Sequence, residues 1–244
     1  MVIHNIEQRD VEKEFTNIAN SYHALMDGRI NDATISLDSV ARSVELEKFL
    51  KRDRFSAFTE TSTKRMEEIK AFFWVPVIDH SNRKLIENEN WNFGLGGKKL
   101  FDVDGNVLPI GKNHFVKHMP LLYAAPEKNN AALIGFDFSS NKELATLFAQ
   151  SRDYNNIVPI SGKLANVLLP PGMPANSQLI SLIHPVYENP KEATTIGLRR
   201  ENILGFVVMQ VDIGVSLEQV MSQQILQGLD VYVVDVEASA GEEI

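Results

Sequence analysis

The ten residues AALIGFDFSS, 131–140, decide how the rest of the chain is read. Their apolar run ends at Gly135-Phe136-Asp137 and reads as a strand over 131–136. Ser140 and Glu143 then stand in the S-x-x-E spacing of a capping box, so a helix is expected over 140–152. Asp137 falls at the junction of strand and helix. Two readings of it are open. It caps the turn, as Asp commonly does, or its carboxylate points into a cavity between helix and sheet and anchors a ligand.

Working outward, short apolar runs recur on both sides. FFWVPVI at 72–78 reads as a strand with an edge proline at Pro76. Further strands are expected at 101–103, 115–123, 157–163, 179–187, 204–213 and 229–236. Asp104-Gly105 is a hairpin signal, and 168–174, LLPPGMP, is a loop. Helices are expected over 54–69 behind an Asp53 cap, in a short segment after Asp79 and Ser81, and over 215–226. Many short strands with fewer helices argue for α+β with antiparallel sheets.

The first 50 or so residues read as helix. Val11, Phe15, Ile18, Tyr22 and Leu25 alternate spacings of four and three, and Leu37, Val40 and Val44 resume the rhythm. That is the narrow seam of a long helix, either facing a core or pairing with a second copy. Gly28 and Asn31-Asp32 weaken its middle, leaving room for a kink or break there.

Composition excludes several function classes. The chain has 244 residues and a net charge of −8, so there is no basic footprint for nucleic acid. It has no Cys, which removes disulfides, thiol catalysis and cysteine metal sites. No run approaches the length of a membrane span, and no signal peptide is visible. Gly94-Leu95-Gly96-Gly97 lacks the Lys-Ser/Thr ending of a phosphate loop and reads as a plain loop. His114 and His118 lack a third ligand nearby, so no metal and no cofactor are expected. Arg83 and Glu87, four apart, read as helix support. No catalytic motif occurs, and no catalytic residue is assigned.

The order of motifs resembles the CHASE sensory domain. The resemblance rests on a Phe-rich helix from Phe55, on Trp74-Val75-Pro76-Val77 and on Arg83…Glu87. It continues through Met119-Pro120-Leu121-Leu122-Tyr123, Gly135-Phe136-Asp137 and His184-Pro185-Val186-Tyr187, to Arg199 or Arg200 with Leu204-Gly205-Phe206-Val207. It implies an extracytoplasmic sensor of a bacterial membrane receptor, on the periplasmic or extracellular side. The output would be a histidine kinase, a diguanylate cyclase or phosphodiesterase, or a nucleotide cyclase. The implied fold is a long stalk helix followed by two PAS-like units with antiparallel sheets. Its divisions would be 1–70 for the helical stalk, 71–177 for the membrane-distal ligand-binding unit and 178–244 for the proximal one.

The family's ligand-contacting aspartate falls on Asp137. The implied pocket strands are 157–162 and 179–184, with Leu121, Ile160, Ser161, Leu182, His184 and Leu204 in the wall. The implied partners are a neutral or cationic small molecule, since a carboxylate repels an anion, and a second copy of the chain along the N-terminal helix. Membrane attachment would run through flanking segments. His184 stands where cytokinin-binding members carry Phe, which makes the wall more polar and argues against an adenine-type ligand. The readings from other classes are a soluble enzyme of unrecognised chemistry and a dimerisation module without a ligand.

Overall fold

The computed structural model describes residues 2–47, 49–109, 117–169 and 178–223. The expected strand at 229–236, His114 and most of the 168–174 loop lie outside the described residues.

The chain opens with one helix, α1 (Val2–Glu45), of 44 residues. It runs unbroken through Gly28 and Asn31-Asp32, the weak middle of the sequence pattern. Its two halves do different work. Ala33, Leu37, Val40, Ala41 and Val44 are buried against the body of the protein. Phe15 is 56% exposed, and Ile18, Tyr22 and Leu25 are half-buried; the side chain of Val11 is outside the described set. The 33-37-40-44 stripe is one residue out of phase with 11-15-18-22-25, so the two seams lie about 100° apart round the helix.

The body is α+β, built on a five-stranded antiparallel sheet. Helix α2 (Arg52–Arg65) leads into β1 (Ile69–Pro76), with Lys51 rather than Asp53 at its N-cap. After β2 (Ile78–Asp79) come a 3-10 turn over His80–Asn82 and the short α3 (Arg83–Ile86). The 115–123 run gives two pieces among the described residues, β3 (Lys117–His118) and β4 (Tyr123–Ala125), either side of Pro120. Then follow α4 (Glu127–Asn130), α5 (Lys142–Tyr154), β5 (Val158–Ile160) and α6 (Gly162–Ala165). The chain continues through β6 (Leu179–Tyr187), α7 (Ile196–Asn202), β7 (Ile203–Asp212) and α8 (Ile213–Gln223).

The strand order is β4-β1-β7-β6-β5, with β2 and β3 paired in a separate ribbon. β1 is therefore an inner strand. Pro76 is tolerated because it is the last residue of β1, beyond the Phe72–Trp74 stretch that pairs with β4. The expected boundary at 177/178 runs between β5 and β6, which are hydrogen-bonded neighbours in this one sheet.

The 131–136 segment is not a strand. Residues Ala131–Leu133 form a 3-10 turn, and only isolated bridges join Phe136 to Phe101 and Asp137 to Pro120. Gly135 sits at φ +102°, which breaks the extended path, and a Cβ there would lie 2.7 Å from Lys99 O. Helix α5 starts two residues later than expected. Asn141, not Ser140, caps it, accepting from Glu143 N and Leu144 N.

Arg83 and Glu87 are more than helix support. Both are buried. Arg83 Nε donates to Glu87 Oε1 at 2.7 Å, and its two remaining nitrogens donate to Pro109 O and Leu108 O. Glu87 Oε1 also accepts from Leu100 N, and Lys99 Nζ lies 3.2 Å from Oε2. The pair thus staples the 98–109 loop to α3.

Candidate functional site

Strand alternation gives the sheet two faces. On the stalk face, Ile180, Leu182 and His184 of β6 stand in register with Val211, Met209 and Val207 of β7. The second half of α1 covers them. On the inner face, Ser181 and Ile183 oppose Gln210 and Val208, with Val158 and Ile160 of β5 beside them. Helix α5 packs on this face. Phe138, Phe148 and Phe206 stack in sequence there, with ring centroids 4.7 and 4.9 Å apart.

This geometry sorts the residues expected in the pocket wall. Ile160 is fully buried on the inner face. Leu121 is fully buried too, its N–H donating to Phe136 O. Ser161 is the N-cap of α6, next along from β5. Leu204 is in phase with Phe206 and accepts from Val77 N. Leu182 and His184 point the other way. Leu182 borders a space under Met26 and Ile30 of α1. His184 Nε2 lies 3.4 Å from Asp38 Oδ1 of α1, and its Nδ1 donates to Pro185 O. A polar cavity of about 260 Å³ opens beside it, bordered by Asp38, Arg42, Glu45, Asn155 and Tyr187. There Arg42 holds the Asp38 carboxyl below its ordinary value, while burial pushes Glu45 up.

Asp137 is completely buried. Its Oδ1 accepts from Met119 N (2.9 Å), Ser139 N (3.0 Å) and Ser139 Oγ (2.7 Å). Its Oδ2 accepts from His118 Nδ1 at 2.5 Å. Burial alone would push the carboxyl up, but the bonds from His118, Ser139 and Met119 outweigh it and hold it below the usual range. His118 Nε2 in turn meets His80 Nδ1 at 2.9 Å. Asp137 is therefore the buried end of a three-residue chain that ties the β2–β3 ribbon to the 3-10 turn over Phe138–Ser140.

Two inner-face residues escaped the sequence reading. Ser181 and Gln210 are direct cross-strand partners and both are fully buried. Gln210 Nε2 donates to Leu168 O at 3.1 Å, but Gln210 Oε1 and Ser181 Oγ have no partner among the described residues. The available signal was a lone Ser in LISLI and a lone Gln in VVMQV, polar residues at inward positions of apolar strands. Ile160, in register with Ser181, forms the apolar side of the same patch.

Among the described residues there is no cluster of metal-ligating side chains, and no helix is long and apolar enough to cross a membrane. The family model of the CHASE domain matches residues 48–244. No curated protein matches the chain.

Proposed function

The chain belongs to the CHASE domain family, the sensor domains of receptors, and on that footing we propose that it binds a small ligand on the inner face of its sheet. The observation that carries the proposal is the pair of orphaned polar atoms, Ser181 Oγ and Gln210 Oε1. A buried donor or acceptor left unsatisfied costs about 1–3 kcal/mol. Two of them side by side are tolerated where a bound molecule supplies the missing bonds. Gln210 Oε1 can only accept, so the ligand presents an N–H or O–H group there. Ile160, Ser181 and Gln210 themselves carry no positive charge to attract an anion, which favours a neutral or cationic small molecule. The stacked Phe138, Phe148 and Phe206 fill the opposite end of this face, so the ligand belongs at the Ile160–Ser181–Gln210 end. In this reading Asp137 acts through the bonds that hold His118 and Met119, with Leu121 two residues on.

The wider setting is proposed on the family alone. The domain lies on the periplasmic or extracellular side of a bacterial membrane and is anchored by flanking segments. It reports to a kinase, cyclase or phosphodiesterase output. The outward stripe of Phe15, Ile18, Tyr22 and Leu25 pairs two copies, since a symmetric receptor uses an isologous contact. Disulfide trapping of single Cys substitutions at these positions in the full-length receptor tests the pairing, and no crosslink at any of them would reject it.

The ligand proposal is tested by a thermal-shift screen of metabolites repeated on Ser181→Ala and Gln210→Leu. Ser181→Ala removes an orphaned atom and should leave the unliganded protein as stable or more stable, whereas Gln210→Leu also removes the Nε2 bond to Leu168 O and should cost about 1–3 kcal/mol. The same changes should weaken the hits by about tenfold or more, the worth of one hydrogen bond. Hits that bind both variants unchanged would place the ligand elsewhere.

A further inference from the structure

One corner of the stalk face pairs a histidine with a carboxylate across two elements. His184 Nδ1 lies 2.8 Å from Pro185 O, and a carbonyl can only accept, so Nδ1 carries the proton. In the neutral imidazole Nε2 is then a bare acceptor. It faces a second acceptor, Asp38 Oδ1 of α1, at 3.4 Å. The contact bridges α1 and β6, which pack together along this face. It borders the polar cavity of about 260 Å³. The His184 and Asp38 side chains are 18% and 41% exposed, so protons reach Nε2 from solvent.

The surrounding groups fix what a proton does there. On α1, Arg42 Nε donates to Asp38 Oδ2 at 2.7 Å and holds that carboxyl below its ordinary value, so Asp38 stays ionised in weak acid. Glu45 of α1 also borders the cavity, and burial pushes its carboxyl up. On β6, burial pushes Tyr187 up to about 12, so it stays neutral, and its hydroxyl donates to Arg152 O. The turn between α5 and β5 brings Asn155, Asn156 and Ile157, and β7 sets Val207 beside His184; none of these is charged. A proton added at Nε2 therefore turns an acceptor–acceptor contact into a charge-assisted bond to Asp38, with Oδ2 still held by Arg42.

We propose that this corner is a proton-binding site through which the domain senses pH: protonation of His184 Nε2 links β6 to Asp38 of the stalk helix, and loss of the proton removes the link. Imidazole takes up its second proton between about pH 8 and 5. The site lies on the opposite face of the sheet from Ser181 and Gln210 and needs no ligand there.

Two measurements test it. Imidazole nitrogen NMR of the whole chain should show His184 with Nδ1 protonated and Nε2 bare at about pH 8, and with both protonated at about pH 5. This readout needs no variant. The second is a double-mutant cycle of Asp38→Ala and His184→Phe, which keeps a ring and removes its nitrogens. Solvent screens a pair with Asp38 this exposed. Urea unfolding constants should therefore show a favourable coupling of about two- to fivefold at the acid pH and none at the alkaline one. The pH dependence should persist in a Glu45→Gln background. A proton on Nε2 at about pH 8, a bare Nε2 at about pH 5, equal coupling at both, or a pH dependence lost with Glu45→Gln would overturn the proposal.

Discussion

His118 Nδ1 and Asp137 Oδ2 lie 2.5 Å apart with both residues almost wholly out of solvent. The aspartate at the junction is thus answered by the protein's own donors. Asp137→Asn removes the charge and the acceptor facing His118, and should cost about 2 kcal/mol at pH 7. The sign of its pH dependence follows from a carboxyl held below its ordinary value when folded. The stabilisation is fully present above the unfolded carboxyl's pKa of about 4 and is lost as pH falls through the lower folded value. Urea unfolding at pH 7, 5 and 3 should show the gap between wild type and variant closing only at the acid end. A gap that stays constant would mean the charge contributes nothing.

The buried Arg83–Glu87 pair predicts a large asymmetry between single and double substitutions. Arg83→Met leaves a buried carboxylate without its main partner and should cost about 3–5 kcal/mol. Arg83→Met combined with Glu87→Leu removes both charges and should recover most of that loss. Urea midpoints for the three proteins measure it; a double variant as weak as the single one would show that the loop contacts at Leu108 and Pro109 matter more than the charge.

The two seams of α1 predict opposite responses to truncation of a large side chain. Leu37 is fully buried, and Leu37→Ala should lower stability by about 2–5 kcal/mol. Phe15 is mostly exposed, and Phe15→Ala should stay within about 0.5 kcal/mol at protein concentrations that keep the chain monomeric. Chemical denaturation at dilute concentration compares them directly.

Gly205 shares the crowding of Gly135 without its positive φ. A Cβ at Gly205 would stand 2.5 Å from Val75 O and 2.7 Å from Pro76 Cα on the neighbouring strand. Gly205→Ala should therefore separate the ends of β1 and β7 and cost about 2 kcal/mol or more. Gly197→Ala meets its nearest atom, Thr195 Oγ1, only at 3.9 Å, and should be neutral or slightly stabilising. Thermal melts of both variants check the contrast.

Much of this was legible in the residues. The strands over Ile69–Pro76, Leu179–Tyr187 and Ile203–Asp212 are long, apolar and rich in β-branched and aromatic side chains; the last two emerge where expected, and the first begins at Ile69 rather than Phe72. The long helix shows in its periodicity. What failed had physical causes. The 131–136 run is short and apolar, and periodicity alone does not separate a strand from buried irregular chain; the positive φ of Gly135 decides it. Alternation along β6 says that Leu182 and His184 share one face and Ser181 the other, but only the pairing with β7 and the position of α1 say which face is which. Arg83 and Glu87 have the spacing of a surface pair, and nothing local reveals that the distant Leu108 and Pro109 carbonyls close over them.

The continuity of α1 turns a small change at the sheet into a large one at its far end. Leu37 is seated in the core and Phe15 is 22 positions away on the same unbroken helix, about 33 Å at 1.5 Å per residue. A tilt of about 5° pivoting at Leu37 would carry Phe15 sideways by about 3 Å, more than half a helical turn's pitch. The helix has the geometry of a lever whose short arm rests against the sheet: a tilt set at Leu37 would be magnified along the exposed half.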